Sequence, residues 1–392
     1  VQKFTIRAAL LALLLSLCIV RPARAQSATA NLVDSCAPTY DAATDYFPEK
    51  AKVSYAKGFT VEYFKNYKVV TVAAPWKGAK DGAQYVLVQC GTLAPKGYDK
   101  AVTVEVPVKR FVSMSTTYLP YLELLGVLDR LVGVDDTSLV YNEKIRAMKI
   151  TPIGSGKTIN IERAIDLKPD LIMTYGSGSA EYDSQPKLSE VGLKVALNAD
   201  YLETVPLGQT EWMKYIALFF NKEGAAEQNF TKIATDYDAL VTKARTLNAI
   251  PSVFVGKPYE GTWYVSGGKS YVAALLADAG AAYVFADDTG SGTLPLAFEK
   301  VFDKAANAEF WVNLGFETNL KTLADSDPRF ADFAAYKSGK VWNYDLRTNK
   351  DGSNDYFESG ASRPDLVLAD LLAIFHPNAL PDHQFTYYRQ LK

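Results

Sequence analysis

Histidine is nearly missing from this chain. Of 392 residues only two, His376 and His383, are histidine, and both lie close to the C-terminus. A Ser-His-Asp triad or a three-histidine zinc site is therefore nearly excluded. His376 precedes Pro377 at the end of an apolar helical run, where an imidazole suits the negative end of the helix dipole. An excess of either charge is also lacking. Lysine and arginine number 42 against 44 aspartate and glutamate, for a formal net charge of −2. That balance provides no long-range field to gather nucleic acid or an anionic membrane. Beyond the N-terminus, no run is apolar and long enough to span a bilayer, and no segment is of low complexity. Cysteine is scarce, at Cys18, Cys36 and Cys90 only.

The first 25 residues read as an export signal. Lys3 and Arg7 form a basic start, Ala8 to Val20 is apolar, and Ala23-Arg24-Ala25 is a small-x-small cleavage site. Cleavage is expected after Ala25. A retained anchor competes with this reading, but the apolar run is short of the ~20 residues a span needs. A lipoprotein signal wants a small residue before the modified cysteine, and Leu17 precedes Cys18. The mature, exported or periplasmic chain keeps Cys36 and Cys90, and an oxidising compartment predicts a disulfide between them. On the chain-entropy account such a bridge adds ~4 kcal/mol. Two buried free thiols are the alternative, and neither has a histidine nearby in sequence to activate it.

What the chain does have is alternation. Residues 26 to 58 are polar and irregular, an arm. FTVEYF, YKVVTVA, QYVLVQC and TVEVPV then read as short strands with turns between them. From Arg110 strands alternate with helices: RFVSM, RLVGV, DLIMTYG and KVALNA against STTYLPYLELLGVLD, NIERAIDLK and QPKLSEVG. This spacing predicts an α/β unit with a mainly parallel sheet. Phe230, Ile233, Ala234, Tyr237, Leu240, Val241 and Ala244 then form one apolar stripe at helical spacing. A helix from Gly224 to Leu247 would run roughly 35 Å, and Pro251 follows it. Past Pro251 the alternation restarts, from SVFVG and TWYV to the closing helix RPDLVLADLLAIF. The expected organisation is a signal peptide over 1–25, an arm over 26–58, an α/β lobe with extra N-terminal strands over 59–221, a linker helix over 222–247 and a second α/β lobe over 248–392.

Catalytic signatures fail when their geometry is examined. Gly156-Lys157-Thr158 resembles a phosphate loop, but the leading glycine that loop requires is Thr151 here, and no apolar strand runs directly into it. Asp135-Asp136 and Asp287-Asp288 are acidic pairs of the kind that cap or end elements. Asn229-Phe230-Thr231 matches a glycosylation sequon inside the long helix, where it carries little meaning. No catalytic residue and no metal ligand set is assigned. Binding is better supported, because ligands of open α/β sheets lie beyond the carboxyl ends of the strands. Those ends carry Ser115, Thr116 and Tyr118, then Tyr175, Tyr201, Lys257, Trp263, Arg347, Asp355 and Tyr356. Rigid aromatics with a few polar groups suit a bulky, partly apolar small molecule. An aromatic at such a position is also a common core or rim residue.

An exported pair of α/β lobes joined by one long helix resembles the class III solute-binding proteins of ABC importers, a group that captures ferric siderophores, haem, cobalamin and related chelates. The resemblance runs from about Lys109 to Pro377. It is carried by RFVSMSTTYLPYLELLGVLDRLVGV, INIERAIDLKPDLIMTYGSG, the linker helix and WYVSGGKSYVAALLADAGAAYVF. It implies capture and delivery without catalysis, a monomer, an ABC permease as partner, and a ligand that is most simply a ferric chelate. No directly bound cofactor is implied. Within it, Glu162 and Glu299 match the lobe-tip glutamates that dock on the permease, and both also suit helix N-termini. Tyr175 and Asp355-Tyr356-Phe357 match cleft positions. Residues 26 to 105 are an addition to the simplest members. Cobalamin, haem or another solute, an exported α/β enzyme and an adhesion module remain as alternatives.

Overall fold

The computed structural model describes residues 30–392, so the signal peptide read over 1–25 lies outside the described residues. Four sheets organise the chain. Strands β1 (Phe59–Tyr63), β2 (Tyr67–Val72), β3 (Ala83–Gln89) and β4 (Val102–Val106) form the first, in that order. Its first two pairings are antiparallel and β3–β4 is parallel. The second sheet holds β5 (Phe111–Ser113), β6 (Leu131–Val134), β7 (Thr151–Pro152), β8 (Leu171–Thr174) and β9 (Val195–Leu197). Its order is β7-β6-β5-β8-β9 and every pairing is parallel. Strands β5 and β8 are buried along their whole length, which is why FVS and LIMT carry no polar alternation of the half-exposed kind.

The second lobe repeats the plan. It contains β10 (Ser252–Val255), β11 (Pro258–Tyr259), β12 (Thr262–Ser266), β13 (Ala282–Tyr283), β14 (Thr293–Leu296), β15 (Phe310–Val312), β16 (Val341–Asn343) and β17 (Arg389–Gln390). One sheet runs β13-β10-β15-β16-β17, parallel except for the last strand. A small antiparallel sheet, β11-β12-β14, lies beside it. The α/β reading with mainly parallel central sheets and an N-terminal β-rich extension is what the chain adopts.

The long connecting helix spans Glu223–Arg245, 23 residues, or about 35 Å. Glu223 sits in its first turn and Lys243 and Arg245 in its last, each matching the dipole. Every residue of the stripe read from sequence is buried except Leu240, which is partly so. The helix serves two cores at once. Ala226 and Ile233 join the first-lobe core, while Phe230, Ala234, Tyr237 and Val241 join that of the second lobe.

The arm before β1 contains no helix or strand over its described residues, yet it is packed rather than loose. Phe47 is fully buried. Backbone groups that no sheet satisfies are met by carboxylates. Glu211 accepts from the N–H groups of Ser54, Tyr55 and Ala56, and Glu203 from those of Lys57 and Gly58. Cys36 is bridged to Cys90, with Cα atoms 4.8 Å apart, so the arm is tied to the end of β3. Lys68 on β2 is fully buried, and its Nζ lies 2.7 Å from Glu223 Oε1 at the start of the connecting helix. It also donates to Leu218 O at 2.5 Å and Asn221 Oδ1 at 2.9 Å, and Asn31 of the arm donates to Glu223 Oε2 at 2.8 Å.

Candidate ligand cleft between the lobes

The carboxyl ends of the two parallel sheets face one another across the gap between the lobes. In the first lobe, Ser115 follows β5 and caps a short turn, its Oγ accepting from Thr117 N–H and lying 2.8 Å from Thr117 Oγ1. Thr116 lines the gap. Tyr175 follows β8 and Tyr201 follows β9, both nearly half exposed. The Tyr201 hydroxyl donates to Gly176 O at 2.6 Å, which fixes the two loops together. Beneath them lies Asp200, buried, with Oδ2 lacking any partner, and burial pushes its carboxyl up to about 7. Asp135, at the end of β6, also keeps one buried oxygen unpaired, and burial raises its pKa.

Two sequence expectations need correction. Tyr118 is fully buried among first-lobe core side chains, and burial together with the Asp200 carboxylate raises its hydroxyl far above the usual phenol value. It supports the cleft floor and offers no surface. Trp263 is likewise fully buried. Its indole N–H donates to Val255 O at 3.1 Å, and its ring packs against Phe254, Trp311 and Phe333. The physical reason is register: β12 alternates inward and outward, so Trp263 points into the core while its neighbour Tyr264 is exposed.

The remaining second-lobe residues lie at strand ends. Lys257, after β10, pairs with Glu317. Arg347 lies 3.1 Å from Asp355 and over the Tyr141 ring of the first lobe. Burial raises the Asp355 carboxyl despite Arg347. Tyr356 stacks on Tyr344 at 4.4 Å between ring centres, and Phe357 meets the same tyrosine edge-on.

These loops bound two cavities. One of about 740 Å³ is mostly apolar, with Thr116 and Leu139 from the first lobe facing Phe316, Tyr344, Phe357 and Arg389 from the second. Phe316, 95 % exposed, is part of its wall. The other, of about 710 Å³, is polar and includes Arg347 and Asp355 among its walls. Between them the lobes touch. Glu358 accepts from Tyr141 N–H at 2.6 Å and Asn142 N–H at 3.1 Å, Ser353 donates to Ser138 O, and Arg146 pairs with Asp351. Burial pushes the Glu358 carboxyl up to about 7 against the pull of those two N–H groups. Among the described residues no cluster of histidine, cysteine, aspartate or glutamate is arranged to hold a metal ion.

A sequence profile described as "Periplasmic binding protein" matches residues 112–348, which contain the connecting helix and the cleft loops as far as Thr348. The chain belongs to the periplasmic binding protein family. It is a substrate-binding protein of the class III kind that serves ABC importers, and not an enzyme. This binding protein is 27 % identical over 314 residues to an uncharacterized lipoprotein of Methanocaldococcus jannaschii, covering 74 % of this chain and 70 % of that one. It is 27 % identical over 195 residues to an uncharacterized ABC transporter substrate-binding lipoprotein of Bacillus subtilis, covering 48 % and 59 % respectively. Its fold matches that of a possible iron-binding, periplasmic solute-binding protein from Staphylococcus epidermidis with a TM-score of 0.54. Identity there is 19 %, over 69 % of this chain and 99 % of the other.

In this binding protein Glu162 is exposed in the first turn of the helix Ile161–Asp166, whose N-cap is Asn160. Glu299 is exposed in the first turn of Phe298–Ala305 and lies 3.2 Å from Arg329. Sequence reasoning missed Leu139, Phe316 and Trp76. The first two follow β6 and β15, strand ends whose loops were not read as part of the cleft. The same strand-end rule would have found them.

Proposed function

We propose that this binding protein captures a ferric chelate of the siderophore type in the apolar inter-lobe cavity and hands it to an ABC permease. The cavity of about 740 Å³ carries the reading: its size and its Phe316, Tyr344 and Phe357 walls suit a bulky, partly apolar ligand that brings its own metal coordination. Thr116 lines the same cavity, Arg347 and Asp355 line the polar one beside it, and Ser115, Tyr175, Tyr201, Lys257 and Tyr356 complete the ligand surroundings. Glu162 and Glu299 are the docking residues, one on each lobe, where exposed acids fix orientation on a basic permease surface. Relatives named as lipoproteins support work outside the cytoplasm. The test is a tryptophan-fluorescence titration of the refolded, ligand-free chain with ferric hydroxamate, catecholate and citrate chelates, cobalamin and haem. Quenching by a ferric chelate at micromolar concentration is expected. Response to cobalamin or haem alone would transfer the assignment to that ligand, and silence across the panel would sink it.

A further inference from the structure

The sheet orders divide the cleft into two flanks. On one flank the loops after β6 and β16 meet through Glu358, Ser353 and the Arg146–Asp351 pair. At the other edges of the two sheets stand the loops after β8 and β9 and the loop after β13. What spans that second flank is the turn between β2 and β3 of the N-terminal sheet. The Trp76 indole lies flush on the loop after β8. A Cβ added to Gly176 or to Gly178 would come within 2.8 Å of the ring, so both positions need glycine. The Lys77 backbone N–H is directed at the Tyr201 hydroxyl, which itself bonds to Gly176 O. Beyond that anchor the Lys77 side chain crosses the gap. Its Nζ reaches 3.2 Å from where a Cβ on Gly292 of the second lobe would sit.

No carboxylate among the described residues pairs with this ammonium within 4.0 Å. Among the acids of the adjoining loops, Glu181 and Asp287 pair with Lys157 and Lys304, Glu203 accepts from N–H groups of the arm, and Asp200 is buried with one oxygen unpaired and lies more than 4.0 Å from this ammonium. Asp183 accepts from Ser177 N–H, Ser177 Oγ–H and Gly178 N–H, and Asp288 accepts from Gly290 N–H. An exposed cation thus follows the anchored Trp76 at the cleft edge, with no carboxylate partner among the described residues.

We propose that the Pro75–Gly78 turn is a third wall of the ligand cleft, in which Trp76 backs the Tyr175–Gly178 loop and the Lys77 ammonium binds an anionic group of the ligand. This rests on the binding-protein reading above. It assigns to the N-terminal sheet a direct part in selecting ligands, in favour of those carrying carboxylate or another negative group on the side facing β8 and β9. Lys77 is exposed in the ligand-free chain, and a charge-assisted contact that a bound ligand covers favours the anionic ligand by roughly tenfold.

The test uses the full chain with ferric citrate and haem as anionic probes and cyanocobalamin as one without net charge. Lys77→Met is expected to weaken binding of the anionic probe roughly tenfold and to flatten its salt dependence. Lys77→Arg should restore both, and cyanocobalamin binding should not change. Equal affinities for wild type and Lys77→Met, equal losses for all probes, or wild-type binding of cyanocobalamin alone would each overturn the anion contact. If the wild type binds none of the three, the iron-chelate reading is decided separately by the hydroxamate and catecholate chelates, and the wall is decided in the ligand-free chain. There, Lys77→Cys with Gly292→Cys should be joined by a short bismaleimide within one molecule. Absence of that cross-link, with both thiols reactive, would refute the wall.

Discussion

Glu358 makes the contact between the lobes depend on pH. Its carboxylate leaves the second lobe to accept two backbone N–H groups of the first, and burial lifts its pKa from 4.5 to about 7. The folded chain therefore holds a proton that the unfolded chain has released between those two values. The stabilisation is full below the ordinary glutamate pKa and is lost as pH rises through about 7. A difference of about 2.5 pH units at 1.36 kcal/mol each corresponds to about 3 kcal/mol. Asp200, pushed up to about 7 by its own burial, adds a slope of the same sign, so the informative quantity is a difference between variants. Glu358→Gln removes the titration and keeps one acceptor for two donors, at a cost of about 1–3 kcal/mol below neutrality. Urea unfolding of wild type and variant from pH 5 to 8.5 should show the variant less stable at pH 5 and the gap closing or reversing by pH 8.5. Parallel profiles would refute the reasoning, since they would mean that Glu358 titrates alike folded and unfolded.

Two further outcomes follow from contacts elsewhere. Lys68→Met leaves the buried Glu223 carboxylate without its cation and should cost about 3–5 kcal/mol, whereas Lys68→Met with Glu223→Leu should recover much of that; additive losses in calorimetry would show that the two charges do not depend on each other. Glu162→Ala with Glu299→Ala should impair ligand uptake in cells carrying the partner permease while leaving ligand affinity unchanged, and an equal fall in affinity would remove both residues from docking.

Periodicity made most of the fold readable. The stripe from Phe230 to Ala244 announced the connecting helix because one buried face repeats every three or four residues. The alternation of strands and helices from Arg110 announced a mainly parallel sheet, in which β5 and β8 are buried along their whole length. The cleft was only partly readable. A strand-end rule finds loops, but it does not say which way a side chain leaves the backbone, and so Trp263 and Tyr118 were taken for surface when they are core. For Phe316 the strand-end rule was enough, since WVNLGFE carries it just past the end of β15, but that loop was not read as part of the cleft. Trp76 had no local signal at all. Its partners Gly176 and Gly178 lie about a hundred residues further on, and only the folded chain brings them together.

The arm before β1 has its own consequence for how the chain matures. Its backbone is satisfied by Glu203 and Glu211, and Asn31 waits for Glu223, 192 residues later. A chain that emerges N-terminus first thus presents an arm, and a lysine on β2, whose partners have not yet arrived. The first lobe can close only after the start of the connecting helix has followed. Completion of that lobe and the first turn of the helix that leads to the other are one event, so the order of assembly is set by the far end of the lobe and not by its beginning.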